Sequence, residues 1–389
     1  MDYKLASSSW GPEEIDAIQG VIDEGMYSMG ERVNKYEQEF ASYFGSKYCV
    51  MVNSGSSANL LMIAALFFHS KYKLERGDEI IVPTVSWSTT YAPLQQYGLK
   101  LKFVDVDLDT LNIDIAKLKS AVSKKTRAIF AVNLLGNPNQ FDEINEIIDD
   151  KDIILLEDNC ESMGAKYNYK FTGTFGLMGS FSSFFSHHIS TMEGGCIITD
   201  DQELHEILLC LRAHGWTRNL SENNLLTSLS NDYFEESFKF ILPGYNLRPL
   251  EMSGAIGLEQ LKKLPAFLEQ RRKNAELFQK KFQNNANLRI QSEVGESSWF
   301  GFSIILNENA RTHRAAILDK LKKSNIEVRP IVTGNFLKNK KLLKFFDYDI
   351  GSSMEASENL ESNGFFVGNH QICLAKQIEH LFNVINSNS

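Results

Sequence analysis

The 389-residue sequence lacks any long uninterrupted apolar segment. Its richest apolar run, from Leu60 to Phe68, is about half of the ~20 residues that a helix needs to cross a bilayer, and it is typical of a buried helix. The first residues, MDYKLASSSWGPEE, contain no apolar core of the kind found in secretion signals. We therefore expect a cytoplasmic protein that does not enter a membrane.

Cysteine is also scarce, and no two of the five cysteines lie closer than 14 positions. This spacing argues against disulfides, zinc ribbons and cysteine-rich iron–sulfur sites, and no accompanying pattern of ligands favours another metal site. We interpret all five as buried thiols. They are Cys49, Cys160, Cys196, Cys210 and Cys373.

A strong basic block is missing as well. The 49 acidic and 40 basic residues give a net charge of −9, which disfavours long-range attraction to nucleic acid but leaves room for a local phosphate pocket. With 43% hydrophobic and 23% charged residues, the composition is that of an ordinary folded enzyme.

The first 200 residues alternate β-rich runs with amphipathic helical stretches. Most of the runs are flanked by turn residues, a pattern that predicts a mostly parallel seven-stranded α/β sheet covered by helices. The predicted strands are Tyr48–Val52, Glu79–Val82, Lys100–Val104, Arg127–Asn133, Ile153–Glu157, Ser180–Phe185 and Cys196–Thr199.

The pattern changes after about Gly244, so we predict a large domain over residues 1–245 and a smaller α+β domain over 246–389. A charged helix from Leu258 to about Phe282, kinked at Pro265, begins the second part. The polar stretch 221–234 is typical of a mobile surface loop. Further predicted elements are the strands Trp299–Leu306 and Ile326–Pro330 and the helices Arg314–Lys323 and Ala375–Ile385.

Three strand ends carry candidate ligand-binding residues. In NSGSSAN, Gly55 permits a tight turn and Ser56 lies at a helix N-terminus, which suits a phosphate as well as it suits an ordinary cap. Trp87 follows a strand where α/β sheets bind ligands and can stack on a planar ring, although a core role is the commoner one. Asp158 ends another strand, where it either caps a helix or holds a pyridine nitrogen protonated.

The stretch SSFFSHHISTMEGG supplies the fourth segment. Together with SGSSAN, Trp87 and EDNCES, it resembles the fold-type-I, sugar-modifying branch of the aspartate aminotransferase superfamily. Those enzymes read Ser, four residues, Lys, five residues, then Glu-Gly-Gly. Counting forward from Ser182 and back from Glu193 both reach His187, so histidine occupies the lysine position, and no lysine occurs between Lys170 and Lys239.

This resemblance implies an aspartate-aminotransferase-like fold and the cofactor pyridoxal 5'-phosphate or its amine form, pyridoxamine 5'-phosphate. Glu161 stands where many relatives have Gln, near the ring oxygen or the substrate. Asn246 would reach the cofactor phosphate of the neighbouring subunit, which implies a homodimer whose active site is shared across the interface. The residues implied to bind the cofactor are Gly55, Ser56, Trp87, Asp158, Glu161, Ser182 and Asn246.

Three cationic or hydrogen-bonding residues are candidates for a nucleotide diphosphate: His214, Arg218 and Arg329. A structural hydrogen bond explains His214 equally well, and a solvated side chain explains Arg329 equally well. A related CDP-sugar dehydratase carries an iron–sulfur cluster, but the absence of cysteine between Cys210 and Cys373 makes that cluster unexpected.

The replaced lysine bears on the activity. In an aminotransferase that lysine both tethers the cofactor as a Schiff base and moves a proton, whereas imidazole can only move the proton. Within the family, SWSTTY, LLEDNCESMGA and RPIVTGNF are most similar to the colitose branch. The resemblance implies loss of the C3 hydroxyl of GDP-4-keto-6-deoxy-D-mannose, giving GDP-4-keto-3,6-dideoxy-D-mannose. L-Glutamate would regenerate the cofactor amine, with ammonia and 2-oxoglutarate released and His187 as the base.

Other functions fit parts of this pattern. A perosamine-type 4-aminotransferase without the usual tether, or a dehydratase of a CDP- or dTDP-sugar, retains most of these motifs. A catalytically silent regulator that binds the cofactor is a third reading, but the acidic chain offers no DNA-binding segment to support it.

Overall fold

The computed structural model describes residues 1–307 and 313–387. Within these residues the strands are β1 (Tyr48–Val52), β2 (Glu79–Pro83), β3 (Lys100–Val104), β4 (Thr126–Val132), β5 (Ile154–Asp158), β6 (Lys166–Tyr167), β7 (Lys170–Phe171), β8 (Met178–Ser182), β9 (Gly195–Thr199), β10 (Leu288–Ile290), β11 (Gly301–Leu306), β12 (Tyr348–Ile350) and β13 (Gly364–Gly368).

The helices of the described residues are α1 (Pro12–Glu24), α2 (Glu31–Phe44), α3 (Gly55–Ala65), α4 (Ser88–Gln96), α5 (Ile115–Ala121), α6 (Phe141–Ile148), α7 (Gln202–Arg212), α8 (Tyr233–Glu236), α9 (Glu251–Phe282), α10 (Arg314–Lys323), α11 (Lys340–Leu343), α12 (Glu355–Asn363) and α13 (Ala375–Asn386). Short 3-10 turns lie at Leu134–Gly136, Thr217–Asn219 and Phe336–Lys338. No helix in the described ranges combines the length and the apolar character needed to cross a membrane.

The main sheet has the strand order β1-β9-β8-β5-β4-β2-β3-β12. All neighbours pair in parallel except at β9, which runs antiparallel to both β1 and β8. The predicted mostly parallel α/β sheet is therefore confirmed, and each of the seven predicted strands contributes to it. An eighth strand, β12, extends the edge beyond β3.

Alternating side chains explain why helices cover both faces of this sheet. Ile80 and Val82 of β2 join the apolar cluster beneath α3 and α7, whereas Ile81 joins the cluster beneath α5 and α6. Because consecutive residues of a strand point to opposite faces, a strand buried on both sides reads as a continuous apolar run. That property made these strands recognisable in the sequence.

A second, three-stranded antiparallel sheet (β10-β11-β13) packs on the end of α9. Phe278 of α9 stacks on Phe302 of β11 with ring centroids 4.3 Å apart. Helix α9 begins at Glu251, seven residues before the predicted start, and it continues through Pro265. The predicted boundary at residue 245 remains a prediction, and β12 lies with the large sheet although it comes late in the chain.

Three expectations from the sequence need correction. Ile326–Pro330 forms only isolated bridges, because Ile326 pairs with Tyr3 and Arg329 pairs with Phe366, two different segments. The predicted strand Ser180–Phe185 instead covers Met178–Ser182. After Ser182 the chain turns towards the sheet edge, and Phe185 becomes exposed. Among the cysteines, Cys373 is exposed and Cys160 is only partly buried.

Candidate active site

A cavity of about 300 Å³ lies at the carboxyl edge of the main sheet. Strands β4, β5 and β8 end at its wall, together with the N-terminus of α3 and the turn before α4. This is where open α/β sheets bind ligands. Eight of the eleven residues predicted from the sequence line it: Gly55, Ser56, Trp87, Asp158, Glu161, Ser182, His187 and Arg329.

The N-terminus of α3 forms one end of the cavity. Ser54 caps the helix by accepting a hydrogen bond from the Ser57 amide at 3.1 Å. The first amides of a helix have no partner inside the helix, and the helix dipole favours an anion there. The hydroxyl of Ser56 bonds that of Thr89 at 2.9 Å, which ties this end to α4. The arrangement suits a phosphate.

Gly55 lets α3 approach the end of β8. A Cβ atom at this position would lie 2.7 Å from the Cβ of Ser182 and 2.9 Å from the Sγ of Cys160. Both distances are far below ordinary van der Waals contact, so the position has no room for a side chain. Gly55 and Ser182, which are both predicted to bind the cofactor phosphate, are therefore in direct contact where α3 meets β8.

Asp158 lies at the middle of the cavity wall and is 5% exposed. Its Oδ2 accepts hydrogen bonds from Asn59 Nδ2 at 2.8 Å and from Thr90 Oγ1 at 2.7 Å. Its Oδ1 accepts one from the Cys160 amide at 3.2 Å. An ionised carboxylate offers about four acceptor positions. Three are filled by the protein, and one remains for a donor from the cavity, as a protonated ring nitrogen would supply.

His187 lies on the same wall, with its ring 5.0 Å from that of Phe300. Its Nδ1 is 2.7 Å from the carbonyl oxygen of Cys160, and because a carbonyl only accepts, Nδ1 carries the hydrogen. Nε2 of the neutral ring then holds the lone pair. Burial, with a further contribution from the positive charges of Arg329 and Arg271, lowers the pKa of His187 to about 4.

His188 is turned away from the cavity. It is 1% exposed, and its Nε2 lies 3.2 Å from the carbonyl oxygen of Ser298. Burial lowers the pKa of His188 well below its ordinary value, so the ring is a neutral part of the interior. The geometry therefore separates the two adjacent histidines, and of the two only His187 lines the cavity.

A carboxyl group, that of Glu161, and a guanidinium group, that of Arg329, both face the cavity. Burial raises the pKa of Glu161 to about 7, against the opposing effect of Arg329. One Glu161 oxygen accepts a hydrogen bond from the Leu135 amide at 3.2 Å. The Arg329 guanidinium lies 4.3 Å above the ring of Phe366 and has no side-chain hydrogen bond to any residue that the structure describes. Its donors are therefore available to a ligand.

The other three predicted residues lie outside the cavity. Asn246 is exposed, and Arg248 Nε donates to its side-chain oxygen at 3.0 Å. His214 is exposed on the adjacent loop, and the Arg218 guanidinium lies 5.0 Å above the ring of Trp216. An isolated bridge between Ala213 and Asn246 joins the two segments, so these candidates share one surface.

Several lining residues were not among the predicted site residues. Asn59 stood inside the recognised NSGSSAN segment, and Cys160 inside EDNCES, so both had a signal in the sequence. Val332 stood inside RPIVTGNF, whereas Phe300 comes from a distant segment without such a motif, and only the fold brings it to the cavity. Across the described ranges, no three His, Cys, Asp or Glu side chains are grouped closely enough to hold a metal ion.

The same fold occurs in known proteins. The model of the DegT/DnrJ/EryC1/StrS aminotransferase family matches residues 9–378. This chain belongs to that family.

Members of the family with high similarity share one name. GDP-4-keto-6-deoxy-D-mannose 3-dehydratase of Yersinia pseudotuberculosis is 64% identical over 386 residues, which cover 99% of this chain and 98% of the relative. The solved E. coli GDP-4-keto-6-deoxy-D-mannose 3-dehydratase with bound hydrated PLP has a TM-score of 0.98 at 63% identity, covering 99% of this chain and 100% of that chain.

A further solved family member is a variant of this dehydratase. Its histidine is replaced by lysine and the serine just before it by asparagine. The TM-score is 0.97 at 63% identity, covering 98% of this chain and 100% of that chain.

Proposed function

We propose that this chain is a nucleotide-sugar 3-dehydratase. Its reaction removes the C3 hydroxyl of GDP-4-keto-6-deoxy-D-mannose and gives GDP-4-keto-3,6-dideoxy-D-mannose. L-Glutamate is the reductant and the source of the cofactor amine, and 2-oxoglutarate and ammonia are released. The observation that carries this proposal is His187, which occupies the lysine position of a cofactor site that is otherwise complete.

The residues present fit pyridoxal phosphate. The α3 N-terminus and Ser182 suit its phosphate. Trp87, exposed at the cavity mouth, would stack on its ring, and Asp158 has one acceptor position left for the ring nitrogen. When bound, this cofactor supplies an electron sink for cleavage of bonds at the attached carbon. Without a lysine at position 187, the chain holds it by these non-covalent contacts alone.

His187 supplies the base. Its Nδ1–H is fixed on the Cys160 carbonyl, and its lowered pKa keeps Nε2 free of a proton at neutral pH. Nε2 is thus ready to accept the proton from the C4' carbon of the cofactor amine. Imidazole cannot form the covalent link that lysine forms, so His187 moves protons without holding the cofactor.

The solved lysine variant agrees with this assignment. In that relative the replaced histidine directly follows a serine. The present sequence contains one Ser–His dipeptide, Ser186–His187. This match supports His187, and not His188, as the counterpart of the histidine that was replaced in that relative.

The active site extends across a homodimer in this proposal. Trp87 and Phe184, which line the cavity, are exposed, and so is the neighbouring Phe185. A second copy would cover this apolar rim and bring Asn246 and Arg218 to the phosphate groups of the cofactor and the sugar nucleotide. A cytoplasmic location remains a prediction from the sequence.

The test of the reaction is mass spectrometry of the products formed from GDP-4-keto-6-deoxy-D-mannose, pyridoxal phosphate and L-glutamate. We expect a sugar nucleotide that has lost one oxygen atom, together with free ammonia. A 4-amino sugar formed without ammonia would show an aminotransferase instead. An unchanged substrate would contradict both activities.

Replacing His187 with Lys tests the base. We expect this variant to bind pyridoxal phosphate covalently, with a new visible absorption band, and to lose at least about a hundredfold in dehydration rate, since a positioned base contributes that much. His187→Asn should be equally slow. Dehydration at the wild-type rate in either variant would remove His187 from its role, and His188→Asn is the comparison for the neighbouring ring.

A further inference from the structure

Asn59 lies in the second turn of α3, and it is 2% exposed. Its side chain connects two neighbouring strands of the main sheet, β5 and β8. Nδ2 donates to Oδ2 of Asp158 at 2.8 Å, and Oδ1 accepts a hydrogen bond from the hydroxyl of Ser180 at 2.6 Å. Asn59 also lines the cavity, so its amide sits beside the carboxylate that faces the ligand.

The surroundings fix the orientation of this amide. Nδ2 faces the Asp158 carboxylate and, at 3.4 Å, the carbonyl oxygen of Thr89. Both groups only accept, so the atom between them must be the donor. Reversing the amide would place an oxygen against two oxygens and leave the Ser180 hydroxyl facing an NH₂ group.

Thr90 donates to the same carboxylate oxygen. Its hydroxyl lies 2.7 Å from Asp158 Oδ2 and 2.7 Å from the Ser86 hydroxyl. Since the Thr90 proton goes to Asp158, Ser86 donates to Thr90. Both acceptor positions of Oδ2 are then filled by α3 and α4, and the free position is on Oδ1.

We propose that Asn59 is a positioning residue that keeps Asp158 ionised when the pyridine ring is bound, so that the proton between them stays on the ring nitrogen. The proposal rests on the proposed function, because it requires bound pyridoxal phosphate. A buried carboxylate loses the stabilisation of water, and hydrogen bonds donated to it favour its charged form. If Asn59 is removed, Asp158 competes more strongly for the proton, and the ring becomes a weaker electron sink.

The test is ¹⁵N NMR of the protein loaded with pyridoxal phosphate labelled at the ring nitrogen, because this signal separates protonated from unprotonated rings. In Asn59→Leu we expect the signal to move towards the unprotonated value and the dehydration rate to fall about tenfold, the effect of one hydrogen bond to a charged group. Asn59→Ser, a smaller change, should move the signal in the same direction.

Three comparison variants calibrate the change in the ¹⁵N signal. Thr90→Val removes the other donor to Oδ2 and should give a shift similar to that of Asn59→Leu. Asp158→Asn removes the acceptor of the proton and marks the fully unprotonated limit. Met62→Leu changes a buried residue of the same helix that does not line the cavity, and it should leave the signal where it is in the wild type.

A wild-type ring nitrogen that is already unprotonated would overturn the proposal. So would an unchanged signal in Asn59→Leu and Asn59→Ser, whatever happens to their rates, because Asn59 would then only support packing. Failure of the proposed function is seen separately: the same wild-type sample would then leave the oxygen count of the sugar unchanged.

Discussion

Burial gives two cavity side chains of opposite type the same neutral state. His187 is deprotonated at neutral pH because its pKa lies near 4, and Glu161 carries its proton up to a pKa of about 7. The first is a base with a free lone pair, and the second is an acid with a proton to donate. A reaction that moves a proton and expels a hydroxyl needs one of each.

The Glu161 carboxyl should therefore shape the pH profile. Its raised pKa means that the proton is present below about pH 7 and lost above it, so we expect the dehydration rate to fall about tenfold between roughly pH 7 and pH 8.5. In Glu161→Gln, whose amide donates a hydrogen bond but cannot transfer a proton, we expect a slower dehydration rate that no longer falls over this pH range. Initial rates at saturating sugar nucleotide and glutamate measure it.

Stability gives an independent readout for the same residue. The raised folded-state pKa of Glu161 means that the folded state binds more protons than the unfolded state between about pH 4.5 and pH 7, so stability falls as the pH rises through this window. Urea unfolding should show Glu161→Gln to be more stable than the wild type above about pH 8, by about 2 kcal/mol, with little difference near pH 5. An identical pH dependence in both proteins would contradict a raised pKa.

At the scale of single residues, the sequence identified those that belong to a motif with fixed spacing. His187 was found because Ser182 and Glu193 fix its place by counting, and His187 lines the cavity whereas His188 does not. Asn59 could not be assigned a role, since its partner Asp158 is 99 positions away. Arg329 was only a candidate, because its position beside Glu161 depends on how the small sheet packs against the large one.

At the scale of elements, the contact between Gly55 of α3 and Ser182 of β8 fixes the part of the cavity that suits a phosphate. Gly55→Ala adds a Cβ atom 2.7 Å from that of Ser182, so the helix must move away from the strand. We expect a loss of roughly 1–3 kcal/mol in stability from overpacking and about a tenfold or greater weakening of pyridoxal phosphate binding. Urea unfolding and a fluorescence titration with the cofactor measure the two effects.

Gly20→Ala is the matched control for this change. Gly20 lies inside α1, and a Cβ atom there would have no heavy atom within 4 Å. Alanine is the better helix former by about 1 kcal/mol, so this variant should be slightly more stable and should bind the cofactor as the wild type does. If Gly55→Ala behaved in the same way, α3 and β8 would be packed less closely than the structure shows.

The strands that the sequence predicted are those buried on both faces. Residues of β2 and β5 are buried throughout, and each strand contains a continuous apolar run, IIVP in β2 and ILL in β5. Strand β12 was missed because its three residues are partly or fully exposed and carry no such run. It is ordered by pairing with β3, and a sequence pattern does not record that contact.

At the scale of the whole molecule, the position of Asn246 bears on whether one subunit contains a complete active site. It lies outside the cavity of its own chain, on an exposed segment that a β-bridge to Ala213 joins to the segment carrying Arg218. His187 and Asp158, by contrast, line the same cavity of the same chain. If each site combines the cavity of one subunit with Asn246 of the other, two inactive variants can complement each other. This requires that one variant is changed in the cavity and the other at Asn246.

Mixing His187→Asn with Asn246→Ala tests this arrangement. Each variant should be nearly inactive alone, and a mixed dimer should contain one site with both natural residues. Random exchange of equal amounts then restores about a quarter of the wild-type sites. A mixture of His187→Asn with Asp158→Asn should regain nothing, because both changes damage the cavity of their own chain and every mixed dimer keeps two defective sites. Subunit exchange is checked by native mass spectrometry of differently tagged chains, and exchange without recovery in the first mixture would assign Asn246 to its own subunit or to no site at all.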